Sequence, residues 1–145
     1  MSYYVHKKAI RLPITEYMIR KIGFDDVEDF IEQFDYLISK NYPKLCYAGG
    51  KTPYFEVAIT DKRPYIDLVL YYSCDEECGD WGTAKYLTKK EKEFFTPYFN
   101  DGLGVSFNPN DFRKVNYCWY NCSEPHDCYD VIEDDWTTLL GIYGY

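Results

Sequence analysis

An α+β fold follows from three features of the chain. Two adjacent runs at 54–72 alternate like strands across a tight turn, a segment at about 26–40 repeats apolar residues at helical spacing, and a second helical segment opens after Thr88. Together they predict a single globular domain over residues 1–145, a natural size for one core. Its antiparallel sheet would be built on the central hairpin at about 54–72, with the helix at about 26–40 packed on one face.

Residues 3–12 read as a first strand, and its basic residues Lys7, Lys8 and Arg11 suggest a sheet edge. Pro13 interrupts it. Thr15 caps a short helix over 16–22, which Gly23 stops. Asp25 and Glu28 then have the spacing of a capping box. Val27, Phe30, Ile31, Phe34, Leu37 and Ile38 recur at three- and four-residue steps and define the buried face of the next helix. The acids Asp26, Asp29, Glu32 and Asp35 fall mostly elsewhere, as on an ordinary solvated helix face.

A short strand at 44–48 precedes the hairpin. In the hairpin, Phe55, Val57 and Ile59 share one face and Glu56, Ala58 and Thr60 the other. On its second strand Ile66, Leu68, Leu70 and Tyr72 alternate with Tyr65, Asp67, Val69 and Tyr71. Residues 73–86 show no period and read as a long loop, a length that is usually functional. Thr88 and Glu91 form a second capping box, and Pro97 should end that helix near Phe99. Short strands are expected at 105–107, 114–122 and 129–132.

Charge is distributed unevenly. The net charge is -8, yet residues 1–22 carry five basic groups against Glu16 alone, and residues 115–145 carry six acids and no Lys or Arg. An acidic chain is poorly suited to direct nucleic-acid binding, because phosphate affinity comes largely from Lys and Arg. It is suited to a protein with a basic surface. No apolar h-region opens the chain and no apolar run approaches a membrane span, which points to a cytoplasmic protein without membrane contact.

Six cysteines in a reducing compartment suggest free thiols or metal ligands rather than disulfides. Cys74 and Cys78, with Cys118 and Cys122, make two matched pairs that would suit zinc as the one candidate cofactor. Geometry limits the second pair. Residues four apart on a continuous strand lie about 13 Å from one another, whereas two sulfurs on one zinc lie roughly 3.8 Å apart. The site therefore requires a bend before Cys122. The competing account is small buried thiols beside ordinary loop cysteines. No nucleophile elbow, phosphate loop or EF-hand pattern is present, so no catalytic residues are assigned and a non-enzymatic protein is expected.

Aromatic residues make up 20% of the chain, with 17 tyrosines, a composition that favours recognition surfaces. In general character the chain resembles the small acidic, tyrosine-rich proteins that phages and mobile elements encode to block host defences. That likeness implies an inhibitor acting in a host cytoplasm and carries over no particular residues. Two functions follow as expectations. The first is a binder of a basic protein, with Asp75, Glu76, Glu77 and Asp80 and the run Glu133, Asp134, Asp135 supplying charge, and Trp81 and Trp136 as anchors. The second is a protein that sequesters a nucleotide signal by stacking it on Tyr71, Tyr72, Tyr117, Trp119 and Tyr120. A zinc-stabilised interaction module is the third and narrowest reading.

Overall fold

A computed structural model describes residues 3–41, 54–60, 62–75 and 85–121, with the backbone alone at 3–6, 71–75 and 116–121. In chain order these form strand β1 (Tyr3–Pro13), helices α1 (Glu16–Ile22) and α2 (Val27–Asn41), and strands β2 (Tyr54–Thr60), β3 (Arg63–Asp75) and β4 (Lys85–Tyr86). Helix α3 (Lys89–Leu103) and strand β5 (Arg113–Asn121) follow, with a single 3-10 turn at Pro109–Asp111 between them. The strands make one antiparallel sheet in the order β2-β3-β1-β5-β4. The fold is α+β, as the sequence predicts.

The helices lie on one face of this sheet. Ile10 and Leu12 of β1, Phe55 of β2, and Ile66, Leu68 and Leu70 of β3 are buried in one cluster. The same cluster holds Met18 and Ile19 of α1, Phe30, Phe34 and Ile38 of α2, and Phe95, Phe99 and Leu103 of α3. Edge-on ring contacts join the layers, with Phe55 5.2 Å from Phe99 between centroids.

The capping signals account for the helix starts. Thr15 Oγ1 accepts the Met18 N–H at 3.1 Å, and Gly23 closes α1 at φ 113°, a left-handed conformation that favours glycine. Thr88 and Glu91 form the reciprocal capping box of α3. In α2 the cap is one residue later than the sequence suggests. Asp26, rather than Asp25, accepts the Asp29 N–H at 2.7 Å, because the helix begins at Val27.

Helix α3 continues past Pro97 to Leu103 rather than stopping near Phe99. An interior proline costs about 3 kcal/mol, but Phe95, Phe99 and Leu103 extend one apolar stripe into the core. Gly102 allows the close approach: a Cβ there would meet Phe55 at 3.1 Å and Ile38 at 3.4 Å. Asn41 Nδ2 donates to the Gly102 carbonyl at 3.0 Å and ties the end of α2 to α3.

Three strand expectations are corrected. The basic first strand is the centre of the sheet, not an edge, and the 54–72 hairpin forms one side of it. Its cations are tolerated inside because β2 and β3 bring carboxylates against them. Residues 105–107 form no strand; Phe107 N–H is held instead by Asn100 Oδ1 at 2.9 Å. The presumed loop at 73–86 is partly strand, since β3 runs to Asp75 and β4 occupies Lys85–Tyr86. The register between β1 and β3 slips between Lys8 and Ala9, so Leu70 is skipped. Beyond that bulge Tyr71 lies opposite Lys8 and Tyr72 opposite Lys7, which ends the simple alternation expected through Tyr72. The expected strands at 44–48 and 129–132 lie outside the described residues.

Candidate functional site

The outer face of α2 is strongly acidic. Asp25 and Asp26 before the helix, and Glu28, Asp29, Glu32 and Asp35 within it, are all exposed, while Phe30, Phe34 and Ile38 are buried. No Lys or Arg occurs from 22 to 39. Glu28 and Glu32 are four residues apart, and Asp29, Glu32 and Asp35 follow at three-residue steps, so like charges neighbour one another on the helix surface. Such pairs are destabilising by about 0.2–0.5 kcal/mol each. The positive end of the helix dipole offsets the cost for Glu28 and Asp29, but its influence fades within the first turn and does not reach Glu32 or Asp35. Tyr36 stands on the same exposed side with 68% of its surface open.

The opposite sheet face carries a buried ionic cluster. Asp67 on β3 is fully buried, with Arg11 Nε donating to Oδ1 at 2.8 Å and Arg11 Nη2 to Oδ2 at 2.9 Å. Lys7 Nζ lies 2.7 Å from Asp67 Oδ2 and also pairs with Glu56 of β2. The Arg11 guanidinium stacks 4.5 Å from the Tyr65 ring centroid. In the described contacts two cations meet two carboxylates, the geometry of a structural network. Ala9, Tyr54, Val69 and Val115 are buried beside it.

A further ion pair sits on the helix face, between Lys114 and the buried Glu91 at 3.1 Å. Burial pushes the Glu91 carboxyl up, but hydrogen bonds from the Thr88 N–H, Lys114 and the Thr88 side chain outweigh it and hold the group below its ordinary value.

The residues expected to carry function are distributed as follows. Glu76, Glu77, Asp80, Trp81, Glu133, Asp134, Asp135, Trp136, Cys78 and Cys122 lie outside the described residues. Asp75 ends β3 opposite Tyr4. Tyr72 and Tyr117 both align with Lys7, from the two sides of β1. Trp119 aligns with Val5 and Tyr120 with Tyr4. Tyr71, opposite Lys8, belongs to a different row from these. Cys74 aligns with Val5 and Cys118 with His6, so the two cysteines stand two strands apart and one step out of line. Strands two apart are separated by roughly 9.5 Å, so the β-ladder alone does not bring these cysteines to a shared metal. The described residues contain no group of three or more His, Cys, Asp or Glu placed to hold a metal ion.

The α2 face was visible in the sequence as charge, but an acidic helix surface is ordinarily only a solvated one. The signal that sets it apart is the missing counter-charge at the i±4 positions. Among the described residues no helix is long and apolar enough to cross a membrane. Comparison of the chain with family models, characterised proteins and solved structures finds no match.

Proposed function

We propose that the protein is a non-enzymatic acidic binder that docks through the outer face of α2 onto a basic protein surface. The observation that carries this reading is the run of six exposed carboxylates from Asp25 to Asp35 without an intervening cation. A helix selected only to fold would gain from Lys at the positions four residues from Glu28 or Glu32. Retaining the repulsion makes physical sense when a partner supplies the opposite charge. Tyr36 provides an aromatic contact beside the acids, the residue type that anchors interfaces. The acids of 75–80 and 133–135 extend the same charge character in the sequence.

The compositional likeness to small anti-defence proteins supports a target whose basic patch ordinarily holds nucleic acid. The acidic face would then compete for that patch as a mimic of phosphate charge. Affinity capture from the native host, run in parallel with the chain and with a Glu32→Lys/Asp35→Lys variant, tests the proposal. A basic protein retained by the first, lost by the second and released by raised salt is the expected outcome. A partner held equally by both would remove α2 from the interface.

A further inference from the structure

A second recognition site of opposite character lies at the end of the sheet, where α1 meets the segment leading into β5. A cavity of about 540 Å³ opens there, within the range of small-molecule sites. Its lining includes Leu12 and Met18, both buried, and the aromatic residues Tyr17 and Phe107. Lys21 and Arg113 line it as well, with Asp111 as the one acid among its lining residues.

The two cations are positioned without being neutralised. Lys21 Nζ donates to the Ser106 carbonyl. Arg113 Nη1 donates to the carbonyls of Asn110 and Phe112, the latter at 2.9 Å, and the guanidinium stacks 4.4 Å from the Tyr86 ring centroid. Neither has a carboxylate partner among the described residues. Lys92 adds a third positive group beside the same segment, donating to Asn110 Oδ1 at 2.9 Å. In a chain with 24 acids and 16 bases, two cations at one cavity against the single acid Asp111 are a selective feature. Backbone carbonyls fix their position yet leave the charge available, which is the requirement for a preorganised anion site.

We propose that this cavity binds a mononucleotide, with the base stacked on Tyr17 and Phe107 and the phosphate held by Lys21 and Arg113. Tyr17 and Phe107 among the lining residues favour a ligand that carries a ring. The cations explain why a charged group is needed, since a nucleoside leaves them without a partner. Tyr17, 77% exposed in the free protein, gains a stacking surface on binding. The site is distinct from the strand tyrosines and from the acidic face of α2, so it stands or falls separately from docking at that face.

Titration of the ¹⁵N-labelled protein with AMP and UMP, beside adenosine and inorganic phosphate, tests the assignment. Either nucleotide should shift the amides of 17–21 and 107–113 saturably, and adenosine and phosphate should each bind at least about tenfold more weakly. Lys21→Glu should weaken nucleotide binding by about tenfold or more, and Tyr17→Ala by about fivefold. Both side chains are exposed, and an unchanged amide spectrum elsewhere verifies that each variant is folded. No saturable shift at millimolar nucleotide, shifts confined to other residues, phosphate binding as tightly as AMP, or full affinity in both variants would each overturn the proposal.

Discussion

Arg11 and Asp67 meet as a parallel fork, two nitrogens on two carboxylate oxygens at 2.8 and 2.9 Å, beneath a face where Asp67 has no exposure at all. The pair joins the middle strand to its neighbour at directly opposed positions. Arg at a bidentate site cannot be replaced by Lys without loss of geometry.

Removal of the shared acid should therefore be severe. Asp67→Ala leaves Arg11 and Lys7 without their common partner, and breaking a buried pair costs about 3–5 kcal/mol. Urea denaturation would measure it. Replacing Lys7, Arg11, Asp67 and Glu56 together with apolar residues of similar volume should recover most of the loss, because desolvation is relieved with the pairing. A loss below about 1 kcal/mol for Asp67→Ala would mean that the cluster contributes little.

Glu91 gives the acid limb of stability a defined component. Its carboxyl is held below the ordinary value of 4.5 in the folded state, so its contribution is fully present above that value. That contribution disappears as pH falls through the folded value. Glu91→Gln should destabilise the protein at pH 7 and flatten the fall in stability between about pH 5 and 3. Thermal melts across that window would show equal slopes in both proteins if the carboxylate were not responsible.

Thr96 is a site for improvement. Its hydroxyl is buried and has no hydrogen-bond partner among the described residues. Thr96→Val preserves the shape and removes the stranded polar group, whose burial costs about 1–3 kcal/mol. A rise in Tm of roughly 2–4 °C is expected. An unchanged or lowered Tm would show that the hydroxyl is satisfied.

At Gly102, helix propensity and packing point in opposite directions. Propensity alone would make Gly102→Ala about 1 kcal/mol more stable. The Cβ would press Phe55 at 3.1 Å, so no such gain is expected, and Gly102→Val should lose about 2 kcal/mol or more. Guanidinium titration of both variants distinguishes the outcomes.

The α2 face predicts a trade-off. Glu32→Lys places a cation four residues after Glu28 and should stabilise the free protein by about 0.5 kcal/mol. The same change should weaken capture of a basic partner. Stabilisation with undiminished capture would separate the repulsion from binding.

Much of the fold was legible because it rests on local chemistry. Thr15, Gly23, Thr88 and Glu91 act at the helix ends where their types predict, since capping depends on residues three or four apart. The position of β1 was not legible. Lys7, Lys8 and Arg11 look like edge residues until Glu56 and Asp67 are known to lie beside Lys7 and Arg11, and that pairing is non-local. Pro97 misled for a related reason, because the core contacts of Phe99 and Leu103 outweigh a local breaker. The cavity cations belong to elements far apart in sequence, Lys21 on α1 and Arg113 on β5, so no motif joins them.

The middle strand also sets the order in which the molecule can be made. β1 leaves the ribosome before both of its neighbours, yet it pairs with β3 from Tyr4 to Pro13 and with β5 from Tyr3 to Arg11. Both ladders close long loops, the one with β5 across more than two thirds of the 145 residues, and loop-closure entropy must be met before the contacts form. Until residues 113–121 emerge, one side of β1 has no ladder partner and Lys114 has not reached Glu91. Completion of the described sheet thus waits for β5, and a nascent chain stalled before it would expose an unpaired strand edge for chaperones or for another copy.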